Sequence, residues 1–152
     1  GKDEEGHYRV VSSSFMVSAD NAHAVHPNHP EKADPINRPM INKGIVIKFN
    51  AAQHYTTDAV SCAVYRDLCE SNDIPVQVFT NRSDTRGGST LGNVSNAHVS
   101  LNTVDIGLAQ LAMHSCYETV GARDTKHLVD AMTIFYSKTF RVDAGGSFEL
   151  LD

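Results

Sequence analysis

The spacing of apolar and polar positions changes several times along the chain, and each change predicts an element. Residues 3–13 are polar and read as a helix. Residues 14–20, Ser14-Phe15-Met16-Val17-Ser18-Ala19-Asp20, form a short apolar run that predicts a buried strand ending on a carboxylate. Residues 44–50 read as a second strand. It is β-branched, with Ile45, Ile47 and Phe49 on one face and Val46, Lys48 and Asn50 on the other. A helix is predicted from about Thr57, with Val60, Ala63, Val64 and Leu68 as its buried stripe. Residues 76–80 and 103–107 read as the third and fourth strands. Between them, Ser89-Thr90-Leu91-Gly92 opens another helix. The pattern then predicts a helix from about Leu111 that stops at Gly121, a suitable residue just past a helix end. Asp124 is expected to cap a last helix whose stripe is Leu128, Val129, Met132, Phe135 and Tyr136.

Strands that alternate with helices predict an α/β sheet covered on both faces. Residues 21–43 interrupt that rhythm. They hold Pro27, Pro30, Pro35 and Pro39 and several histidines, and so long an irregular segment in a compact domain usually has a function.

Composition narrows the possibilities. The 152 residues fit one domain with a sizeable core, and 41% apolar with 20% charged residues is ordinary for a soluble globular chain. A net charge of −5 and a pI near 5.9 argue against nucleic-acid binding. No apolar run is long enough to span a bilayer, and no signal-peptide core is expected at the start. Cys62, Cys69 and Cys116 form no CxxC pair, which predicts reduced, buried thiols in a cytoplasmic protein. Cys62 and Cys69 would lie ~10 Å apart along one helix, too far to bridge. A Cys116–His114 nucleophile pair is disfavoured because residues two apart on a helix point to different faces.

There is no HExxH, GxSxG or GxxxxGK pattern. Gly87-Gly88-Ser89-Thr90-Leu91-Gly92 could cradle a phosphate at a helix start, but it lacks the lysine and reads equally as a tight turn. Asp20 and His114 are the informative pair. Both are expected at the carboxyl edge of the sheet, where ligands of open α/β sheets gather. Carboxylate and imidazole suit zinc, although each residue has a structural reading as well, as a turn cap or a satisfied histidine. Glu118, one turn beyond His114, would orient its ring. His23, His26 and His29 share a three-residue spacing, but Pro27 and Pro30 oppose a continuous helix there. They are expected to pack the loop and support the Asp20 region.

Several longer motifs together resemble one family. Ser18-Ala19-Asp20-Asn21-Ala22-His23-Ala24-Val25-His26-Pro27-Asn28 is very similar to the SADxAHAVHPN segment of aspartyl aminopeptidases and aminopeptidase I. Arg38-Pro39, Val46-Ile47-Lys48-Phe49-Asn50 with Gln53 and Tyr55, Asn81-Arg82-Ser83-Asp84, Gly88-Ser89-Thr90-Leu91-Gly92 and Gln110-Leu111-Ala112-Met113-His114-Ser115 follow in that family's order. The loop Arg86-Gly87-Gly88-Ser89-Thr90-Leu91-Gly92 is more similar to the bacterial branch than to the animal PCGTTIG form.

The resemblance implies a two-metal zinc aminopeptidase that removes N-terminal residues, acidic ones among them, with a glutamate as general base. It implies a three-layer αβα metallopeptidase core with a mixed, mostly parallel sheet. Asp20 and His114 would each be a ligand to one of the two metals. Lys48 matches the lysine that receives the substrate carboxylate in acid-preferring members, and Tyr55, Gly88, Ser89 and Thr90 would line the substrate pocket. The peptide substrate, the remainder of the same enzyme or a second chain, and a large homo-oligomer such as a dodecamer are the partners implied.

The departures are equally informative. The family's N-terminal histidine ligand, bridging aspartate, catalytic glutamate and adjacent glutamate ligand all precede the SADxAH segment, as does its dimerisation domain. Residues 1–152 are therefore expected to be the C-terminal part of the catalytic domain, inactive in isolation. Glu4-Glu5-Gly6 imitates the glutamate pair but lies too near Asp20, and reads instead as the exposed first turn of a helix. The alternatives are a non-catalytic scaffold or assembly domain that keeps the fold, and a related two-metal amidohydrolase such as a deacylase.

Overall fold

The computed structural model describes residues 3–143 and 147–151. In chain order these form α1 (Glu4–Ser12), β1 (Phe15–Ala19), β2 (Ala22–His23), β3 (Ile45–Phe49), α2 (Ala59–Glu70), β4 (Val76–Thr80) and α3 (Leu91–His98). Then follow β5 (Asn102–Gly107), β6 (Ala109–Leu111), β7 (Thr119–Val120), α4 (Ala122–Ser137), β8 (Thr139–Val142) and β9 (Phe148–Leu151). α1 starts on an Asp3 cap whose side chain accepts the Gly6 N–H, and Glu4 and Glu5 stand in its exposed first turn as expected.

The main sheet has the order β1-β5-β3-β4. β1 runs parallel to β5 and β3 parallel to β4, while β3 and β5 are antiparallel, so the sheet is mixed with parallel pairs in the majority. Strand alternation assigns the two faces. Ile45 and Ile47 join Val104 and Ile106 under Tyr65, Leu68 and Cys69 of α2 and Ala131 of α4, with Phe49 packed beside them. Val46 points the other way, toward Ala22, Tyr55, Phe79 and Ala109. α3 covers that second face near β1. A β-carbon on Gly92 would stand 2.9 Å from the Ser18 side chain and 3.0 Å from the Asp105 carboxylate. Helices therefore lie on both faces of the sheet, the α/β architecture expected.

The structure departs from the expected elements in several places. The buried residues of α2 are Ser61, Tyr65, Leu68 and Cys69, whereas Val60 and Ala63 are exposed. Ser61 is buried because it completes a reciprocal cap with Asp58, so a polar residue occupies the helix's inner face. On α4, Leu128, Met132 and Phe135 pack inward, but Val129 and Tyr136 are 60% and 78% exposed.

Asp124 does not cap α4. Gly121 holds that position, and Asp124 is fully buried in the first turn, where it accepts the N–H groups of Asn42 (2.6 Å) and Gly44 (2.8 Å). Residues 111–121 are not a helix either. β6 and β7 form an antiparallel hairpin with Gln110 opposite Val120, and Ala112 and His114 take φ of 53° and 66°, incompatible with a right-handed helix. This also places Cys116 on an exposed turn, against the expectation of burial, while Cys69 is buried and Cys62 half-buried. The β8–β9 hairpin, with Phe140 stacked on Phe148, has no counterpart in the sequence reading. No helix among the described residues is long and apolar enough to cross a membrane.

Candidate active-site cleft

β1 and β5 leave the sheet at the same end, and their pairing continues beyond it as the parallel pair β2–β6. The Asp20 N–H donates to Ile106 O (2.9 Å), Ala22 N–H to Leu108 O (2.9 Å) and Ala24 N–H to Gln110 O (2.8 Å). Asn21 cross-links the two segments, its Oδ1 accepting from the Leu108 N–H (3.2 Å) and its Nδ2 donating to Gln110 Oε1 (2.7 Å). Gly107 admits the close approach, since a β-carbon there would lie 1.9 Å from the Asp20 carbonyl oxygen. This ladder carries Asp20 and the His114 hairpin to one rim. Glu118 acts on that hairpin through the main chain. Its carboxylate accepts the His114 backbone N–H at 2.6 Å instead of orienting the ring.

The rim opens on a cleft of about 410 Å³. Asp20, His23, Lys48, Tyr55, Gly88, Ser89 and His114 all line it. Thr90 does not. It is the N-cap residue of α3, its buried hydroxyl has no hydrogen-bond partner among the described residues, and it lines a separate groove beside β1. Two loops wall the cleft. In the first, the His26 and His29 rings lie 5.3 Å apart, and a 3-10 turn (Pro30–Lys32) follows. Asn37 of this loop donates to Thr80 Oγ1 (3.1 Å). Arg82 of the second loop donates to the Glu31 carbonyl and, through Nε, to Asp84 (2.8 Å).

Lys48 sits in an interior strand with its side chain 2% exposed. Its ammonium donates to the Asp20 carbonyl (2.9 Å) and the Asn21 carbonyl (3.4 Å), and stands 4.9 Å from the centre of the Tyr55 ring. Asp20 Oδ2 is 3.9 Å away. Burial pulls the Lys48 pKa down while Asp20 and Asp105 pull it up, with burial the stronger. The Tyr55 phenol is pushed up by burial, with Asp20 and Asp105 adding to it. His23 is held below the usual histidine value by burial first, then by His114 and Lys48, which favours its neutral form.

Asp105, fully buried in β5, was missed by sequence reasoning. Its Oδ2 accepts the Thr56 N–H (2.6 Å) and hydroxyl (2.7 Å), fixing the segment that carries Tyr55. A carboxylate inside the apolar run Thr103-Val104-Asp105-Ile106-Gly107 was a signal of the same kind as Lys48. Asn21, Gly107 and Gln110 were missed as well, because only the three-dimensional pairing reveals their roles.

The Asp20 carboxylate, 62% exposed, and the His114 imidazole have the donor chemistry that zinc takes. Two donors do not complete a zinc shell, and no group of three His, Cys, Asp or Glu among the described residues could hold a metal ion. The donors present fit part of such a site.

Comparison with known proteins agrees with this partial geometry. Residues 1–136 match the family described as aminopeptidase I zinc metalloprotease (M18). The chain is 51% identical over 137 residues to a probable M18 family aminopeptidase 2 of Clostridium acetobutylicum, an alignment covering 90% of this chain and 32% of that protein. It thus spans about a third of the length of the curated relatives it matches. Among solved structures it is similar to a chain in the cryo-EM structure of the Ape4 and Nbr1 complex, with a TM-score of 0.87, 38% identity, and coverage of 90% of this chain and 26% of that one. A chain of the S. cerevisiae mApe1 dodecamer gives a TM-score of 0.76 at 30% identity, covering 86% of this chain and 28% of that one.

Proposed function

The chain belongs to the M18 family of aminopeptidase I zinc metalloproteases, and from that premise we propose that its cleft is the substrate-binding and part of the metal-binding machinery of an aminopeptidase. That enzyme removes N-terminal residues from peptides, acidic residues among them. The observation that carries the reading is the meeting of Asp20 and His114 on one rim with the buried Lys48 ammonium beneath.

Asp20 and His114 would hold zinc, one ligand to each of two ions. Bound there, the metal supplies Lewis acidity toward the scissile carbonyl. The chain's own residues supply binding and orientation. Lys48 anchors the Asp20 and Asn21 carbonyls, which sets the direction of the Asp20 carboxylate. An ammonium has three protons, and the one left over can receive an acidic side chain at the substrate's N-terminal residue. Tyr55, whose ring lies 6.2 Å from that of Phe79, gives the floor an apolar surface. Gly88 and Ser89 offer main chain to the peptide, and the space beside the Gly88 α-carbon is open for 4 Å. His23, whose lowered pKa favours its neutral form, lines the cleft near His114 and Lys48. Thr90 and Glu118 act behind the cleft, as a helix start and a hairpin brace.

The general base and the remaining metal ligands come from the rest of the enzyme or from a second chain. Likeness to a dodecameric relative supports a large homo-oligomer, and the free thiols of Cys62, Cys69 and Cys116 suit a reducing, cytoplasmic setting.

The test is mutagenesis in the complete enzyme that contains this chain. Asp20→Asn and His114→Ala should each lose zinc on dialysis, measured by elemental analysis, together with peptidase turnover. Lys48→Met should lower kcat/KM for N-terminal Asp substrates tenfold to a hundredfold relative to Leu substrates, about 1.5–3 kcal/mol for a hydrogen bond to a charged group. Full zinc occupancy and turnover in Asp20→Asn would refute the assignment.

A further inference from the structure

We propose that the mouth of the cleft contains a second carboxylate site, formed by Arg86 and Lys32, which takes an anionic group of the peptide downstream of the bond that is cut. The proposal rests on the aminopeptidase reading and extends it to the leaving side of the substrate.

Charge accounting inside the cleft carries the inference. The chain as a whole has a net charge of −5, yet four Lys or Arg residues line this cleft (Lys32, Lys48, Arg82 and Arg86) against two carboxylates, Asp20 and Asp34. A concave site with an excess of one sign, in a molecule whose net charge is of the other, focuses the field on the ligand. Most of these charges are already committed. Lys48 is buried and spends two donors on main-chain carbonyls. Arg82 is held by Asp84 and the Glu31 carbonyl. Asp34 accepts the N–H groups of Ile36 (3.0 Å) and Asn37 (2.6 Å), and those bonds hold its carboxyl below the usual range. Glu31, adjacent to Lys32, faces His29 at 3.2 Å.

Arg86 and Lys32 remain. Both are exposed, both line the cleft, and neither side chain donates a hydrogen bond or forms an ion pair within the described residues. They stand on the two loops that wall the cleft, which the Arg82–Glu31 bond joins one residue from Lys32 and four from Arg86. A guanidinium and an ammonium free in this position suit a carboxylate, the anion a peptide carries. Two sources supply it: an acidic side chain after the scissile bond, or the free C-terminus of a short peptide.

The test uses zinc-loaded enzyme and tripeptides whose first amide is replaced by a methylene-amine, which no peptidase cleaves. Three are compared by calorimetry: Ala-Asn-Ala-amide, Ala-Asp-Ala-amide, and Ala-Asn-Ala with a free C-terminus. At least one of the carboxylate peptides should bind about tenfold more tightly than the neutral one, with the advantage shrinking in high salt. Preference for the Asp peptide identifies the side chain as the source, and preference for the free acid identifies the terminus. The double variant Arg86→Gln, Lys32→Gln should remove the preference, and Arg86→Lys should retain most of it. Equal binding of all three by the wild type, or a preference that survives the double variant, overturns the proposal. Turnover of ordinary peptides is measured separately. Its absence would refute the aminopeptidase reading without altering these affinities.

Discussion

At Gly107 the chain has no room for a β-carbon, because the Asp20 carbonyl oxygen would lie 1.9 Å from it. That contact makes Gly107 the residue on which the Asp20 geometry depends, although it touches no ligand itself. Gly107→Ala must push β1 and β5 apart where they leave the sheet. A cost of about 1–3 kcal/mol is expected, the usual range for overpacking. Thermal unfolding should show the loss, and zinc titration of the complete enzyme should show weaker binding, since Asp20 moves with the strand. A wild-type melting temperature in Gly107→Ala would show that the strands yield freely. Much of the candidate cleft at this scale was legible in the sequence. Asp20, His23, Lys48, Tyr55, Gly88, Ser89 and His114 were all named from motifs, and all reach one cleft. Thr90 and Glu118 were placed too close to the chemistry. A motif records that a residue belongs near a site but not which way its side chain turns. The polar residues that hold the site, the half-buried Asn21 and the buried Asp105 and Gln110, act through pairings 49 to 89 residues apart in sequence, which no local pattern reveals.

The elements differ in how plainly the sequence announced them. β1, β3, β4 and β5 were read nearly to the residue, because apolar or β-branched runs of five or six residues bounded by polar turns have few other outcomes. Residues 111–121 were misread because β6 and β7 have only three and two residues, too few to show a period. Their hairpin also needs Ala112 and His114 in the left-handed region, which nothing in their side chains signals. Asp124 shows how a cap-like residue can serve a different element. Its carboxylate fastens α4 to the loop before β3 by accepting two main-chain N–H groups, on Asn42 and Gly44. Asp124→Ala leaves the Gly44 N–H without a partner in the interior, while the N–H of Asn42, an exposed residue, can turn to water. An unpaired buried donor costs about 1–3 kcal/mol, so stability should fall by about 1–3 kcal/mol, read as a lower denaturant midpoint with an unchanged slope. Val129→Ala on the exposed side of the same helix should change stability by less than about 0.5 kcal/mol. Equal effects from the two would show that the loop anchor contributes nothing.

On the scale of the whole molecule, the fold and the chemistry are complete to different degrees. The sheet has helices on both faces and a continuous core from β1 to β4, so the described residues bury the apolar surface a domain needs. The site does not reach the same closure. Asp20 and His114 are its candidate zinc donors, no group of three such donors among the described residues could hold a metal ion, and no glutamate lines the cleft to act as base. The chain also spans about a third of its curated relatives. With the base proposed to come from elsewhere in the enzyme, binding and positioning should survive in the chain by itself, whereas proton transfer, which typically contributes a hundredfold to ten-thousandfold, should not. Purified alone and supplied with zinc, the chain should cleave neither Asp- nor Leu-aminoacyl substrates above background. It should still bind a peptide through the cleft, detectable as chemical-shift changes at Lys48 and Tyr55. Adding, as a separate polypeptide, the part proposed to carry the base and the other ligands should restore turnover together with zinc uptake, and a chelator should abolish both. Efficient zinc-dependent cleavage by the chain alone would mean that Asp20 and His114 suffice with ligands recruited from within these 152 residues, and the division of labour proposed for the two parts would fall.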